Sequence, residues 1–135
     1  MPRYLLDTNM CIYLMKHQPE QVARRFEQCY VGDVVMSAIT YAELQFGVAM
    51  SARPERERAN LASLVELIEV APFGAEAAAT YGPIRHASRE RNKGALDKLI
   101  AAHAVALGVP VVTNNVRDFE NYPGVTVENW LDDGA

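Results

Sequence analysis

Four carboxylates stand where an α/β chain keeps its reactive groups: Asp7, Glu43, Asp97 and Asp118. Asp7 directly follows the apolar run Tyr4-Leu5-Leu6, and Glu43 comes a turn of helix after the β-branched run Val34-Val35-Met36. Asp97 lies between Leu96 and Leu99 at the opening of an apolar helical segment, and Asp118 lies beyond the end of Val109-Pro110-Val111-Val112-Thr113. Each has an ordinary reading by itself. Asp7 can cap a helix or close an Asx turn. Thr40-Tyr41-Ala42-Glu43 fits a capping box, with Thr at the N-cap and Glu at the third helical position. Asp97 suits the positive end of a helix dipole, and Asp118 suits a solvated loop. Taken together, all four fall on one rim of an α/β sheet, the carboxyl ends of its strands. Carboxylates converging there raise one another's proton affinity unless a cation joins them. Oxygen-only ligands favour Mg²⁺ or Mn²⁺ over Zn²⁺. A dication held in this way activates water and neutralises charge at a phosphodiester phosphorus.

The elements that must position these groups can be read from punctuation by Gly, Pro and caps. Tyr4–Leu6 reads as a strand, Asn9–Lys16 as a short helix, and Pro19 opens a helix to about Tyr30. Val34–Met36 is a second strand, and Thr40 caps a helix to about Ser51. Pro54 starts another, with Leu61, Leu64, Val65 and Ile68 on one face. Val70–Phe73 reads as a short strand, Ala75 to about Arg91 as an Ala-rich helix broken by Asn92-Lys93-Gly94, and Ala95–Leu107 as a helix ended by Gly108. Val109–Thr113 is the clearest strand, Asn114–Phe119 a turn or short helix, and Val125–Val127 the last strand. This alternation predicts a three-layer α/β/α sandwich around a central, mostly parallel sheet. With 135 residues, one domain over 1–135 is expected.

Composition narrows the function. Half the residues are hydrophobic and 22% are charged, which excludes disorder. Thirteen Lys and Arg against seventeen Asp and Glu give a net charge of −4, which argues against a simple basic coat on nucleic acid. Setting the four candidate acids aside leaves bases and acids equal in number. Cys11 and Cys29 are too few and too far apart for a zinc ribbon or a CxxC redox site, and they read as reduced thiols. His17, His86 and His103 show no metal-ligand spacing, and His103 reads as a packed helix residue. No apolar run approaches the ~18–20 residues that span a bilayer. The start of the chain reaches Asp7 too early for a signal peptide, so a cytoplasmic protein is expected.

Four blocks carry a resemblance. Leu6-Asp7-Thr8-Asn9; Ser37-Ala38-Ile39-Thr40-Tyr41-Ala42-Glu43-Leu44 with Gly47; Leu96-Asp97-Lys98-Leu99-Ile100-Ala101-Ala102-His103-Ala104; and Thr113-Asn114-Asn115-Val116-Arg117-Asp118-Phe119 resemble the signature blocks of PIN-domain ribonucleases. Their order and the chain length, with Glu128-Asn129-Trp130 near the end, are similar to the VapC toxins of VapBC toxin–antitoxin pairs. The resemblance implies a Mg²⁺-dependent endoribonuclease, with Mn²⁺ able to substitute, that cuts structured RNA such as tRNA. It implies a VapB antitoxin that holds the enzyme inactive, a homodimer within a hetero-oligomer, and operator DNA bound only through the antitoxin. Asp7, Glu43 and Asp97 match the family's characteristic acids. In the fourth block the acid that many members carry after Thr-Asn is replaced by Asn115, and Asp118 fills the other acidic position. Thr8, Asn9, Thr113 and Asn115 are then expected to hydrogen-bond and orient the metal ligands.

Among the bases, Arg85, Arg89, Arg91, Lys93 and Lys98 crowd fourteen positions opposed only by Glu90 and Asp97. Arg85 and Arg89, spaced i, i+4, with Lys93 and Lys98, are read as contacts to an RNA backbone, against the ordinary alternative of a solvated helix face. Arg53, Arg56 and Arg58 alternate with Glu55 and Glu57 as surface ion pairs. Leu14, Met15 and Phe26 offer an apolar surface for self-association or for an antitoxin, and Tyr122 and Trp130 read as anchors of the C-terminal segment. Two rivals stay open from the residues alone. One is an aspartyl-nucleophile phosphatase, although its usual second Asp is Asn9 here. The other is a non-catalytic interaction domain whose acids serve only as caps.

Overall fold

In this computed structural model residues 1–131 are described; the last four positions of the expected domain lie outside them. Five short strands, β1 (Tyr4–Leu6), β2 (Val34–Ser37), β3 (Glu69–Ala71), β4 (Val111–Val112) and β5 (Val127–Glu128), form one sheet. Their order is β3-β2-β1-β4-β5 and every pairing is parallel, so the expected mostly parallel sheet is wholly so. Parallel neighbours need long crossovers. The chain supplies α1 (Thr8–Lys16), α2 (Glu20–Glu27), α3 (Ala38–Met50), α4 (Pro54–Leu67), α5 (Ala75–Ala87), α6 (Ala95–Leu107) and the short α7 (Val116–Phe119).

Period-two alternation makes the layers. Leu6, Val34, Met36 and Val112 pack on one side with Met10 and Leu14 of α1, Val22 of α2, and Leu61 and Leu64 of α4. Leu5, Val35 and Val111 point to the other side, against Ile84 of α5 and Ile100, Ala101 and Ala104 of α6. Each fully buried Leu, Ile or Val contributes about 1.5–3 kcal/mol, so both faces hold the strands in register. The order also reverses between β1 and β4: successive strands run outward from β1 to β3, then return to its other side. That switch point opens a crevice at the carboxyl ends of the two strands.

The boundaries differ from the expected ones for local reasons. α2 stops at Glu27 because Tyr30 to Asp33 closes a turn, with the Asp33 N–H donating to the Tyr30 carbonyl (3.0 Å) and the Tyr30 N–H donating to Asp33 Oδ2 (2.9 Å). β4 is two residues long, with Val109 and Pro110 serving as lead-in, since Pro110 has no N–H for a ladder. α5 ends at Ala87, before the expected Arg91, where Ser88 Oγ donates back to the Ile84 carbonyl (2.7 Å). The carbonyls of Ser88 and Arg91 are taken instead by the Lys98 ammonium (3.3 and 2.7 Å). Trp130 is fully buried, edge-on to Tyr4 (5.5 Å between ring centroids), and its Nε1 donates to Glu128 Oε1 (3.1 Å), so it anchors the C-terminal segment as expected. Among the described residues no helix is long and apolar enough to cross a membrane.

Candidate active site

Asp7 leaves β1 at the switch point. Its backbone N–H donates to the Val112 carbonyl (3.0 Å), so the neighbouring strand fixes where the side chain starts. Oδ1 then accepts the Met10 N–H (2.9 Å), which makes Asp7 the N-cap of α1 as well as a candidate ligand. The residue is only 3% exposed. Burial pushes its pKa up to about 6, against the pull of hydrogen bonds from the Thr113 side chain and the Met10 N–H, and the charges of Asp97 and Glu43 raise it further. An acid held half-protonated near pH 6 by burial and by other acids is poised to exchange its proton for a cation.

Glu43 corrects the capping-box expectation. The helix begins three residues earlier than Thr40 would place it, because β2 runs directly into α3 and Ser37 is the N-cap, its Oγ accepting the Ile39 N–H (3.0 Å). Thr40 lies buried inside the helix, and the Glu43 carboxylate is free of the backbone. It accepts the Thr8 hydroxyl hydrogen at 2.7 Å, a contact between the first turn of α1 and the second turn of α3 that draws Glu43 toward Asp7. Thr8 Oγ1 also lies 3.2 Å from Thr40 Oγ1.

Asp97 occupies the third position of α6, whose N-cap, Gly94, sits at φ +81 in the left-handed region. Burial raises its proton affinity first, Asp118 and Glu43 raise it further, and Arg91 lowers it. Asp118, in α7, is exposed, and its backbone carbonyl accepts a hydrogen bond from Arg91 Nη2 (3.1 Å). The charges of Glu43 and Asp97 thus reach Asp7, and those of Glu43 and Asp118 reach Asp97, although these residues lie far apart in the chain. Among the described residues, no three Asp, Glu, His or Cys side chains are drawn round one point as a finished coordination set. Unscreened carboxylates repel, and Thr8 holds Glu43 in its own hydrogen bond. The donor set still fits a hard dication: all its atoms are oxygens, and the buried imidazole of His103 is engaged elsewhere, with Nδ1 at 2.8 Å from Ser37 Oγ and the ring edge-on to Phe73.

The remaining expected residues divide. Thr113 links Asp7 to α7, since its Oγ1 also accepts the Asn115 N–H (2.9 Å). Asn115 contributes that backbone contact, and its exposed side chain makes no cap hydrogen bond. Asn9 sits half-buried in the first turn of α1, and among the described residues its side chain has no hydrogen-bond partner. Arg85 lies over Tyr81 (5.9 Å), and Arg89 Nη1 donates to the His86 carbonyl (2.8 Å). Because α5 has ended, these two arginines do not share a helical face. Arg85, Arg89 and Lys93 are exposed. Lys98 is not: it is 6% exposed, and its ammonium is committed to two backbone carbonyls, so it ties the 88–91 turn to α6. The linear charge pattern could not show that inward direction.

Arg91, counted in the sequence within the basic stretch, and Tyr122, read there as an anchor, meet each other beside the site. Arg91 stacks its guanidinium on the Tyr122 ring (4.8 Å from the centroid), and Tyr122 is buried beside Gly94. A Cβ on Gly94 would meet Tyr122 Oη at 3.3 Å and Asp97 Oδ2 at 3.7 Å. Gly94→Ala therefore combines a left-handed backbone with a crowded hydroxyl, for a loss of about 1–3 kcal/mol. Thermal melting should record that loss, and cleavage should fall with it because the start of α6 carries Asp97.

Comparison with known proteins agrees with this geometry. A PIN domain model matches residues 4–125. The tRNA(fMet)-specific endonuclease VapC of Salmonella typhimurium is 38% identical over 132 residues, covering 96% of this chain and 99% of that protein. Among solved structures, DNA-bound VapBC from Salmonella typhimurium superposes with a TM-score of 0.89 at 37% identity, over 96% of this chain and 99% of that one. VapBC2 from Rickettsia felis, bound to a DNA fragment from its promoter, gives 0.84 at 31% identity, over 94% and 98%. A sheet that reverses at β1/β4, acids gathered on that rim and relatives of this extent lead to one assignment: the chain belongs to the PIN-domain family, among the VapC ribonucleases.

Proposed function

We propose that this protein is an endoribonuclease toxin that uses Mg²⁺, with Mn²⁺ able to substitute, to cut structured RNA, tRNA in particular. The observation that carries this reading is the placement of buried Asp7 at the β1 switch point, with Glu43 held by the adjacent Thr8 and the charges of Glu43 and Asp97 acting on Asp7. Asp7 and Asp97 would hold the ion directly, Glu43 would hold it or one of its waters, and Asp118 would complete the rim. When bound, such an ion lowers the pKa of water and offsets charge at the phosphorus. The chain's own residues do the positioning. Met10 N–H and Thr113 fix the Asp7 carboxylate, Thr8 aims Glu43, and the first turn of α6 supports the charge of Asp97. Asn115 holds α7 in place through Thr113. Exposed Arg85, Arg89 and Lys93 supply sequence-independent contacts to the RNA backbone.

A VapB-type antitoxin would keep the enzyme inactive. Between α1, α2 and α4 lies an apolar groove of about 340 Å³ lined by Leu14, Met15, Phe26, Leu64 and Leu67, the surface expected to take such a partner. The assembly is then a homodimer within a toxin–antitoxin hetero-oligomer that touches operator DNA through the antitoxin alone. Antitoxin-free protein incubated with total tRNA should give discrete fragments with Mg²⁺ or Mn²⁺ and none with chelator. Fragments that persist undiminished in chelator, or intact tRNA with either ion, overturn the reading.

A further inference from the structure

Arg91 is held in place by several contacts and, among the described residues, by no ion pair with an acid. Its backbone is held at both ends of the residue: the N–H donates to the Ser88 carbonyl (2.9 Å), and the carbonyl accepts from the buried Lys98 ammonium (2.7 Å). Its guanidinium carbon lies over the Tyr122 ring, 4.8 Å from the centroid, and the group spends one N–H on the Asp118 carbonyl. Among the described residues no carboxylate forms an ion pair with it. A guanidinium has five donors in a rigid fork, so most of them are left for something outside the chain. Its place is equally specific. On one side it acts electrostatically on Asp97. On the other it lines an open cleft of about 370 Å³ with Tyr81, Arg85, Arg89, Asn92 and Lys98, and among the described residues no acid lines that cleft.

A phosphate approaching four carboxylates is repelled, and a cation ordered in advance at their border offsets that repulsion without losing side-chain entropy on binding. We infer that Arg91 is a substrate-positioning residue that grips an RNA phosphate next to the scissile one, joining the basic cleft to the acidic rim and setting the path of the strand between them. This rests on the endoribonuclease reading and adds to it a contact that none of the four signature blocks contains.

The test compares the parent, Arg91→Gln and Arg91→Lys on a labelled tRNA that the parent cuts. Binding is followed by anisotropy in chelator across a salt series, and cleavage is followed with Mg²⁺. Arg91→Gln should weaken binding about tenfold and make the salt slope shallower by about 0.7–1, the contribution of one phosphate contact. It should raise KM with kcat within about threefold of the parent. Arg91→Lys should keep the parent's salt slope. If both variants match the parent in affinity and slope, Arg91 does not touch RNA. If Arg91→Lys loses affinity and slope as completely as Arg91→Gln, or if Arg91→Gln binds normally once a lowered melting temperature is allowed for, the residue only shapes the turn and the inference is wrong. If no RNA is cut by the parent, the endoribonuclease reading falls and takes this one with it, an outcome distinct from the others.

Discussion

Asp97→Asn is expected to leave the fold intact and to reduce RNA cleavage by at least ~10³-fold, about 4 kcal/mol of barrier. The substitution keeps shape and polarity and removes one charge, which is the property the site uses. Asp97 stands in the first turn of α6, where an uncharged Asn loses the favourable interaction with the helix dipole, about 0.3–1 kcal/mol, and escapes the burial and like-charge repulsion that oppose it. The effects of charge removal are therefore separable: a small change in melting temperature and a large change in turnover. Well-folded Asp97→Asn protein that cleaves at the parent's rate would remove the acidic rim from the mechanism.

Asp7→Asn has opposite consequences for stability and activity. In the folded protein the Asp7 pKa is raised from 3.8 to about 6 by burial and neighbouring acids. The folded state therefore holds this proton more tightly than the unfolded state does. Below about pH 4 the group is neutral in both states and costs nothing; the cost grows as pH rises from 4 to 6, and above 6 it is complete. About two pK units correspond to about 3 kcal/mol. Asn retains an oxygen for the Met10 N–H and carries no charge to desolvate. In chelator at pH 7.5, Asp7→Asn should melt above the parent by up to about 6–12 °C; at pH 4 the two should coincide, and cleavage should be lost at every pH. A variant that melts below the parent at pH 7.5 would show that Asp7 is a structural cap whose charge costs nothing.

Much of this arrangement is legible in the sequence, where local chemistry decides local structure. Ala95–Leu107 is a helix at the expected bounds because Gly94 and Gly108 bracket it, each in the left-handed conformation that other residues avoid. Asp7 is legible because Leu6 ends a strand and an Asp at that point caps the helix beginning at Thr8. The local pattern puts Glu43 near the rim but gives it the wrong neighbour. Ser37 and Thr40 are both competent caps, and only the direct passage of β2 into α3 selects Ser37 and frees Glu43 for Thr8. Lys98 shows a different limit. A charge count reads it as surface, whereas its stem is buried and its ammonium closes the end of α5. The Arg91–Tyr122 stack joins residues that share no local pattern, so only the tertiary fold reveals it. Within the 85–98 stretch, Arg85, Arg89 and Lys93 keep the exposure that an RNA contact needs, and Lys98 turns inward.

The aspartyl-nucleophile alternative lacks its usual second acid, since Asn9 stands two residues after Asp7. The purely structural alternative explains the cap and predicts that these acids bind no dication. Titration calorimetry with Mn²⁺ on the parent, Asp7→Asn and Asp97→Asn, run at pH 6.5 in buffers of different ionisation enthalpy, decides between that view and a dication site. The parent should bind Mn²⁺ and release protons as it does so, and each variant should lose both signals. Equal Mn²⁺ binding by the variants, or none by the parent, would contradict a centre built from these acids.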